Sequence, residues 1–281
     1  MEETLFGTRL SVPEDPDPAA PELIDAMHTA YRIGRDFLWE RPDIPPAPPD
    51  AIGRRIEKLS GGSSSSFHAA LAAFHLGAAR PSEGSRRKST PRVAHLASAQ
   101  QALTRSFLAM HRDALVEVFS KSKRVGFADV VAWRTTLSGA MAVARVARVL
   151  HDAGARLWLP TIRMDMRDKI DLIAAFGPAT GVCLQVKNDH AAAATVCTPC
   201  APDDLASPAD CPPEFMRGVR DHARRVGGAW HGLFVRVGSR GIPFQDLKRC
   251  QTIRRSLLAA VAGLVPEAIM TSATETSPPA P

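Results

Sequence analysis

Two short stretches hold side chains that could do chemistry together. The first is Asp168-Lys169-Ile170-Asp171, which runs into Leu172-Ile173. The second follows a Gly/Pro turn at 177–181 and reads Cys183-Leu184-Gln185-Val186-Lys187. If each is a strand and the turn joins them, the pair is antiparallel, and the start of one lies beside the end of the other. Asp171 is then early in its strand, and Gln185 and Lys187 are late in the next. Gln185 and Lys187 are two residues apart, so they project from one face. A carboxylate, an amide oxygen and an ammonium converge there. Oxygen donors of this kind suit Mg2+ or Mn2+. A lysine beside them can orient a water or offset charge building on phosphorus. The residues also leave open an ordinary hairpin, with Asp171 capping a turn and Lys187 ending a strand in solvent. Asp165 and Asp168 are expected to face solvent before the strand, and Asp189 and His190 to be strand-end polar groups.

The neighbouring periodicities supply elements to hold this pair. Residues 94–120 and 129–152 carry apolar side chains at three- and four-residue spacing and predict helices. The small residues Gly139, Ala140, Ala142, Ala144 and Ala147 would let the second helix lie close against a sheet. Strands are expected at 156–162, 169–176, 182–186 and 230–237, with helices at 214–226 and 244–264. Residues 196–213, rich in Cys, Pro and Asp, read as a loop. Upstream, helical pieces at 20–40, 52–59 and 67–79 are separated by a proline-dense stretch at 42–49, by GGSSSS at 61–66 and by a basic linker at 80–92. The tail from 271 is low in complexity and reads as disordered. This order implies an α/β fold.

The helix with Ser138-Gly139-Ala140, HDAG at 151–154, a short strand, DKIDLIAAF, the turn and LQVK together resemble the PD-(D/E)xK nuclease superfamily. The nearest pattern is the QxK variant of Mrr-like restriction endonucleases. The resemblance covers about 130–190, and the basic helix and next strand complete it to about 265. It implies a restriction-endonuclease-like core, a mixed central sheet flanked by helices. The corresponding division is 1–93 as a helical, Pro-interrupted region, 94–268 as the nuclease-like domain and 269–281 as a disordered tail. It further implies metal-dependent hydrolysis of DNA phosphodiester bonds. Asp171 and Gln185 would lend oxygens to Mg2+ or Mn2+, with the Val186 backbone carbonyl facing the ion, and Lys187 would serve catalysis. The family commonly places a Glu on the helix before the first strand. Here no Glu occurs between Glu117 and Glu214, and the helix spacing points to Ala140. Asp129, at the start of that helix, or Glu117 could substitute for it. The alternative is therefore a nuclease-fold protein without catalysis, serving as a nucleic-acid-binding or protein-interaction scaffold. Cutting both strands of a duplex would call for a homodimer.

Two other clusters carry chemistry. Cys197-Thr-Pro-Cys200 with Cys211 and His190 has ligands for a zinc ion, since a CxxC lets two thiolates grip one tetrahedral centre. The alternative is three reduced cysteines in an inserted loop. Arg217, Arg220 and Arg224 recur at helical spacing with Arg225 beside them, a basic stripe that could bind nucleic-acid phosphates or remain a solvated face.

Composition agrees with a polyanion partner. Residues 1–50 hold eleven acids against four Arg, whereas 80–124 and 211–260 each hold ten bases against three acids. An acidic leader and a basic body result, with net charge +6. The other source of basic charge is Arg-biased composition, with 28 Arg and 7 Lys. No apolar run could span a bilayer, and the acidic, Pro-rich start lacks the features of a signal peptide, so an intracellular protein without a membrane partner is expected. Its five cysteines are then expected as thiols or metal ligands. Nothing in 1–93 names a partner. Walker, dinucleotide-binding, G-x-S-x-G and HExxH motifs are absent from the sequence.

Overall fold

The computed structural model describes residues 5–12, 90–109, 130–189, 191–200, 211–238 and 251–265. The helices expected over 20–40, 52–59 and 67–79, the linker at 61–66 and the tail from 269 lie outside the described residues, as do Glu117, Asp129 and His190. Among the described residues, five helices run in the order α1 (Thr90–Ala109), α2 (Val130–Asp152), α3 (Ile162–Asp168), α4 (Pro213–Val226) and α5 (Gln251–Leu264). Six strands accompany them: β1 (Thr8–Arg9), β2 (Arg156–Leu159), β3 (Leu172–Ala175), β4 (Thr180–Asp189), β5 (Val196–Cys200) and β6 (Ala229–Gly238).

The chain divides into two compact units, Met1–Val12 with Ala142–Pro281, and Pro13–Met141. In the first unit the N-terminal segment buries Phe6, Leu10 and Val12. These residues carry the segment into the sheet, where β1 pairs antiparallel with β2. In the second unit, α1 buries Leu103, Phe107 and Leu108. Gly139 on α2 faces Gln100, whose Oε1 would lie 3.0 Å from an added Cβ. One of the small positions expected against a sheet thus admits a neighbouring helix instead.

The first unit is a mixed six-stranded sheet in the order β1-β2-β3-β4-β6-β5, flanked by helices. Strand β3 is antiparallel to both β2 and β4, while β4 and β6 are parallel. A parallel neighbour needs a crossover, and α4 lies within it. Strand β5 was expected as loop. Its Pro199 cannot donate to a ladder, and β5 lies at the sheet's edge, where proline is tolerated. The strand expected over 156–162 stops at Leu159. Thr161 then caps α3, its Oγ1 accepting from the Met164 N–H at 3.3 Å.

Alternation divides the sheet into two buried faces. One carries Trp158, Ile173, Cys183, Trp230 and Phe234, which pack with Met164 of α3 and with Phe215, Met216 and Val219 of α4. The other carries Leu157, Leu172, Val182, Leu184, Leu233 and Val235, also buried. Burying both faces explains the nearly continuous apolar sequences of β3 and β4. Helix α5 packs on β5 and β6. Helices α3 and α4 approach closely at Gly218, where a Cβ would stand 2.5 Å from that of Asp168.

Candidate functional site

The turn at Lys169 places the first site residue. Lys169 ends α3 in the left-handed region, at φ 56° and ψ 30°, a conformation uncommon for a residue with a Cβ. Its Nζ donates to the Met166 carbonyl at 2.8 Å and steadies the turn. The chain then buries Ile170 and delivers Asp171 to the mouth of β3. The Asp171 N–H donates to the Leu184 carbonyl at 2.8 Å. Asp171 stands just before the residue that pairs with Leu184, so it lies at the β4 stretch that carries Gln185.

The two side chains share the face covered further along by α4, and both are buried. Asp171 Oδ2 accepts from the Val186 N–H at 2.7 Å. Along a strand, one residue's N–H and C=O point to the same edge, so the Val186 carbonyl also turns toward β3. Gln185 Oε1 is buried and has no hydrogen-bond donor. Lys187, two residues on, is exposed. Burial pushes the Asp171 carboxyl above its ordinary range, against the opposing pull of the Lys187 charge, the Val186 N–H and the Lys169 charge. The carboxylate is thus costly in the fold and held by cations on two sides.

These oxygens fit a hard divalent cation in kind. Asp171, Gln185 and the Val186 carbonyl offer one carboxylate and two neutral oxygens, one of which is a buried acceptor lacking a donor. The charge offered is low. Ala140 is fully buried and adds no carboxylate. Among the described residues, no three His, Cys, Asp or Glu side chains gather into a metal-holding group.

The other candidates are placed as follows. Asp168 does not face solvent: it ends α3 buried against Gly218, with Arg167 Nε at 3.7 Å from Oδ1. Arg217, Arg220 and Arg224 are exposed on the outer side of α4, whose inner side buries Phe215, Val219 and His222; Arg225 is exposed as well but flanks the inner side, where its charge acts on His222 and Cys183. The zinc set is not brought together. Cys200 and Cys211 form a disulfide, which joins the end of β5 to the residues before α4. Cys197 is three residues from Cys200 on a strand, hence on the opposite face, and burial holds its thiol up at about 11. The disulfide departs from the thiols or metal ligands expected at 200 and 211, because the end of β5 brings Cys200 against Cys211, while Cys197 keeps its thiol.

Three features were not singled out from the sequence. Arg236 on β6 is the register partner of Lys187, and Phe234 that of Gln185. Lys169 was read only as strand. His222 sits wholly buried beside Trp230 and Phe6, with ring centroids 4.7 and 5.4 Å away. Neither of its nitrogens has a hydrogen-bond partner. Burial, helped by the Arg225 charge, brings its pKa down to about 4. The α4 pattern Phe215, Val219, His222 was the available signal, because it places the imidazole on the apolar side.

Comparison of the chain with protein-family models, with curated proteins and with solved structures finds no match. No helix among the described residues is long and apolar enough to cross a membrane.

Proposed function

We propose that the sheet unit is a restriction-endonuclease-like core that hydrolyses phosphodiester bonds in DNA with Mg2+ or Mn2+. The observation that carries this reading is the bond from the Val186 N–H to the Asp171 carboxylate. It holds a buried carboxylate at the residue next to Gln185, whose buried amide oxygen lacks a donor, with the exposed Lys187 two residues further on. The element order α2-β2-β3-β4-α4-β6, with β3 antiparallel to β2 and β4 and with β6 parallel to β4, supports it.

Asp171, Gln185 and the Val186 carbonyl would hold the cation, which when bound supplies Lewis-acid stabilisation to the phosphate. The Val186 N–H fixes the Asp171 carboxylate by taking one oxygen and leaving the other. Lys187 reaches the phosphate from the exposed side of the same face. Its ammonium orients the attacking water or offsets charge building on the phosphoryl oxygens. Arg217, Arg220 and Arg224 attract the DNA backbone without reading its sequence.

The test is a cleavage assay on supercoiled plasmid and single-stranded DNA with Mn2+, Mg2+ or EDTA. Metal-dependent cutting by the native chain, lost in Lys187→Ala and Asp171→Asn, is expected. Cutting that survives EDTA or Lys187→Ala overturns the reading. A non-catalytic DNA-binding scaffold is the second reading. It is favoured by the single carboxylate and by Ala140, and it predicts EDTA-insensitive DNA binding without cutting.

A further inference from the structure

The segment 5–12 is held to the sheet by few bonds. Its strand β1 is two residues long, lies at the sheet's edge and pairs with β2. One further bond runs from the Leu10 N–H to the Leu157 carbonyl at 2.9 Å. Phe6 is the aromatic anchor. Its ring stacks on Trp158 at 4.9 Å between centroids and also meets Trp230 at 5.5 Å and His222 at 5.4 Å. Gly7 permits this approach: it has φ 99°, and a Cβ there would collide with the Leu159 carbonyl oxygen. His222 lies behind the anchor, wholly buried, and neither ring nitrogen has a hydrogen-bond partner. The Trp230 Nε1–H is already donated to the Gly227 carbonyl at 2.9 Å.

The charged groups around His222 can be named element by element. On α4, Arg225 acts on it, and the Arg225 Nε donates to the Asp221 carbonyl at 3.2 Å. On α3, Asp168 packs against α4 at Gly218, one turn from His222, with Arg167 beside it. On β2, the Arg156 guanidinium carbon lies 5.8 Å from the Trp158 ring centroid. On the segment itself, Arg9 is exposed. Strand β6 meets the imidazole with Trp230, which does not titrate. Among the described residues no carboxylate acts on the ring.

We infer that residues 5–12 are a pH-sensitive strap, released from the sheet when His222 takes up a proton while the rest of the sheet unit stays folded. This device is independent of the nuclease-like reading. A neutral imidazole leaves one donor and one acceptor unpaired in this apolar box, whereas a protonated one leaves two donors and a charge. Water must then reach the ring, and one of its neighbours must move aside. Helix α4 is fastened by Phe215 and Val219 in the core, by the close contact at Gly218 and by the Cys200–Cys211 disulfide just ahead of it. Strand β6 is paired on both sides, with β4 and with β5. The strap has a two-residue ladder and the apolar anchors Phe6, Leu10 and Val12, so it opens at the least cost. The closed box holds the imidazole at about 4, against 6.5 in water. Closure is therefore complete above 6.5 and weakens as pH falls toward about 4. One proton is taken up on opening in that window, so the opening constant rises about tenfold per pH unit, roughly a hundredfold from neutral pH to about 4.

The test is hydrogen–deuterium exchange of the full chain between neutral pH and about pH 4, read at the segments 5–12 and 229–238 and corrected for the pH dependence of exchange itself. An NMR titration of the His222 ring accompanies it. In the native chain, protection of 5–12 is expected to fall roughly a hundredfold across this range while 229–238 keeps its own. His222→Leu should remove the pH dependence and leave 5–12 protected throughout; His222→Met carries the comparison if the leucine variant does not fold. Gly7→Ala should detach the strap at every pH, leave 229–238 protected and move the His222 titration from about 4 toward 6.5. Phe6→Ala repeats that comparison if alanine at 7 still docks. Native 5–12 that keeps its protection at about pH 4 overturns the inference, as does an equal loss in His222→Leu or His222→Met. Loss of 229–238 in step with 5–12 overturns it too, because the whole unit then opens rather than the strap. So does a detached strap with His222 still titrating at about 4.

Discussion

Asp171→Asn separates a functional carboxylate from a structural one. Burial raises the Asp171 carboxyl from its ordinary 3.8 despite Lys187, Lys169 and the Val186 N–H. Above pH 3.8 the unfolded chain releases this proton while the folded chain retains it, so native stability falls as pH rises toward the folded value. Asparagine has no such proton, and its amide oxygen can still accept from Val186. The Asn variant should therefore be more stable than the native chain at neutral pH. Relieving a functional site of this kind is worth about 0.5–2 kcal/mol, a rise in Tm of roughly 1–8 °C for a unit of this size. The gap should open as pH rises from about 3.8 and then level. Alanine at 171 leaves the buried Val186 N–H without its acceptor. It should fall below asparagine by about 1–3 kcal/mol. Melting curves of the three proteins in EDTA, from pH 3 upward, measure all of this. An Asn variant that melts with or below the native chain at pH 7, or a gap that does not change with pH, would falsify the account of Asp171 as a charge the fold tolerates at a cost.

Three further outcomes follow from the same unit. His222 titrates at about 4 in the fold against 6.5 when unfolded. Its contribution is complete above 6.5 and is lost as pH falls toward about 4, about 3 kcal/mol in all; His222→Leu should flatten denaturant midpoints over that window. Gly218→Ala drives a methyl against Asp168 and should cost about 1–3 kcal/mol, read as a lower urea midpoint at unchanged slope. Reducing the Cys200–Cys211 disulfide, which closes a short loop between residues 11 apart, should cost about 3 kcal/mol; an identical Tm with and without dithiothreitol would show that this crosslink contributes nothing.

The helices at 130–152 and 213–226 and the strands β3, β4 and β6 were legible because their apolar periods are regular and uninterrupted. The antiparallel pairing of β3 and β4, which carry Asp171 at the mouth of one and Gln185 in the other, was legible for the same reason: a hairpin's register follows from its own turn. What escaped depends on contacts distant in sequence. Arg236 meets Lys187 only because β4 and β6 are parallel neighbours across a crossover, and no local pattern announces that register. Strand β5 was hidden by its proline and gains its ladder from β6 alone. The segment 5–12 carries only Phe6, Leu10 and Val12 as core residues, too few to announce a strand, yet Phe6 stacks on Trp158 with ring centroids 4.9 Å apart. Asp168 lies inward, against the expectation of a solvent-facing side chain, because α3, a seven-residue helix too short to show a period in sequence, turns it there.

The balance of charge at the site sets an order on its ligands. The Lys169 and Lys187 charges act on the one carboxylate, and Lys187 shares a register row with Arg236. Under the proposed function, the lysine charges weaken the site's hold on a divalent cation and favour a phosphate beside it. A bound backbone supplies the missing negative charge. Cation and nucleic acid should then favour each other's binding by the same factor, since the coupling free energy is reciprocal. Isothermal titration of Mn2+ into the Lys187→Ala chain, alone and with a saturating oligonucleotide, measures that factor where turnover does not intervene. Removing Lys187 also relieves part of the repulsion, so this variant should bind Mn2+ in the absence of DNA more tightly than the native chain. Equal Mn2+ affinity with and without DNA would show that the cations of the row do not act on the Asp171 site, and the electrostatic part of the proposed function would fail with it.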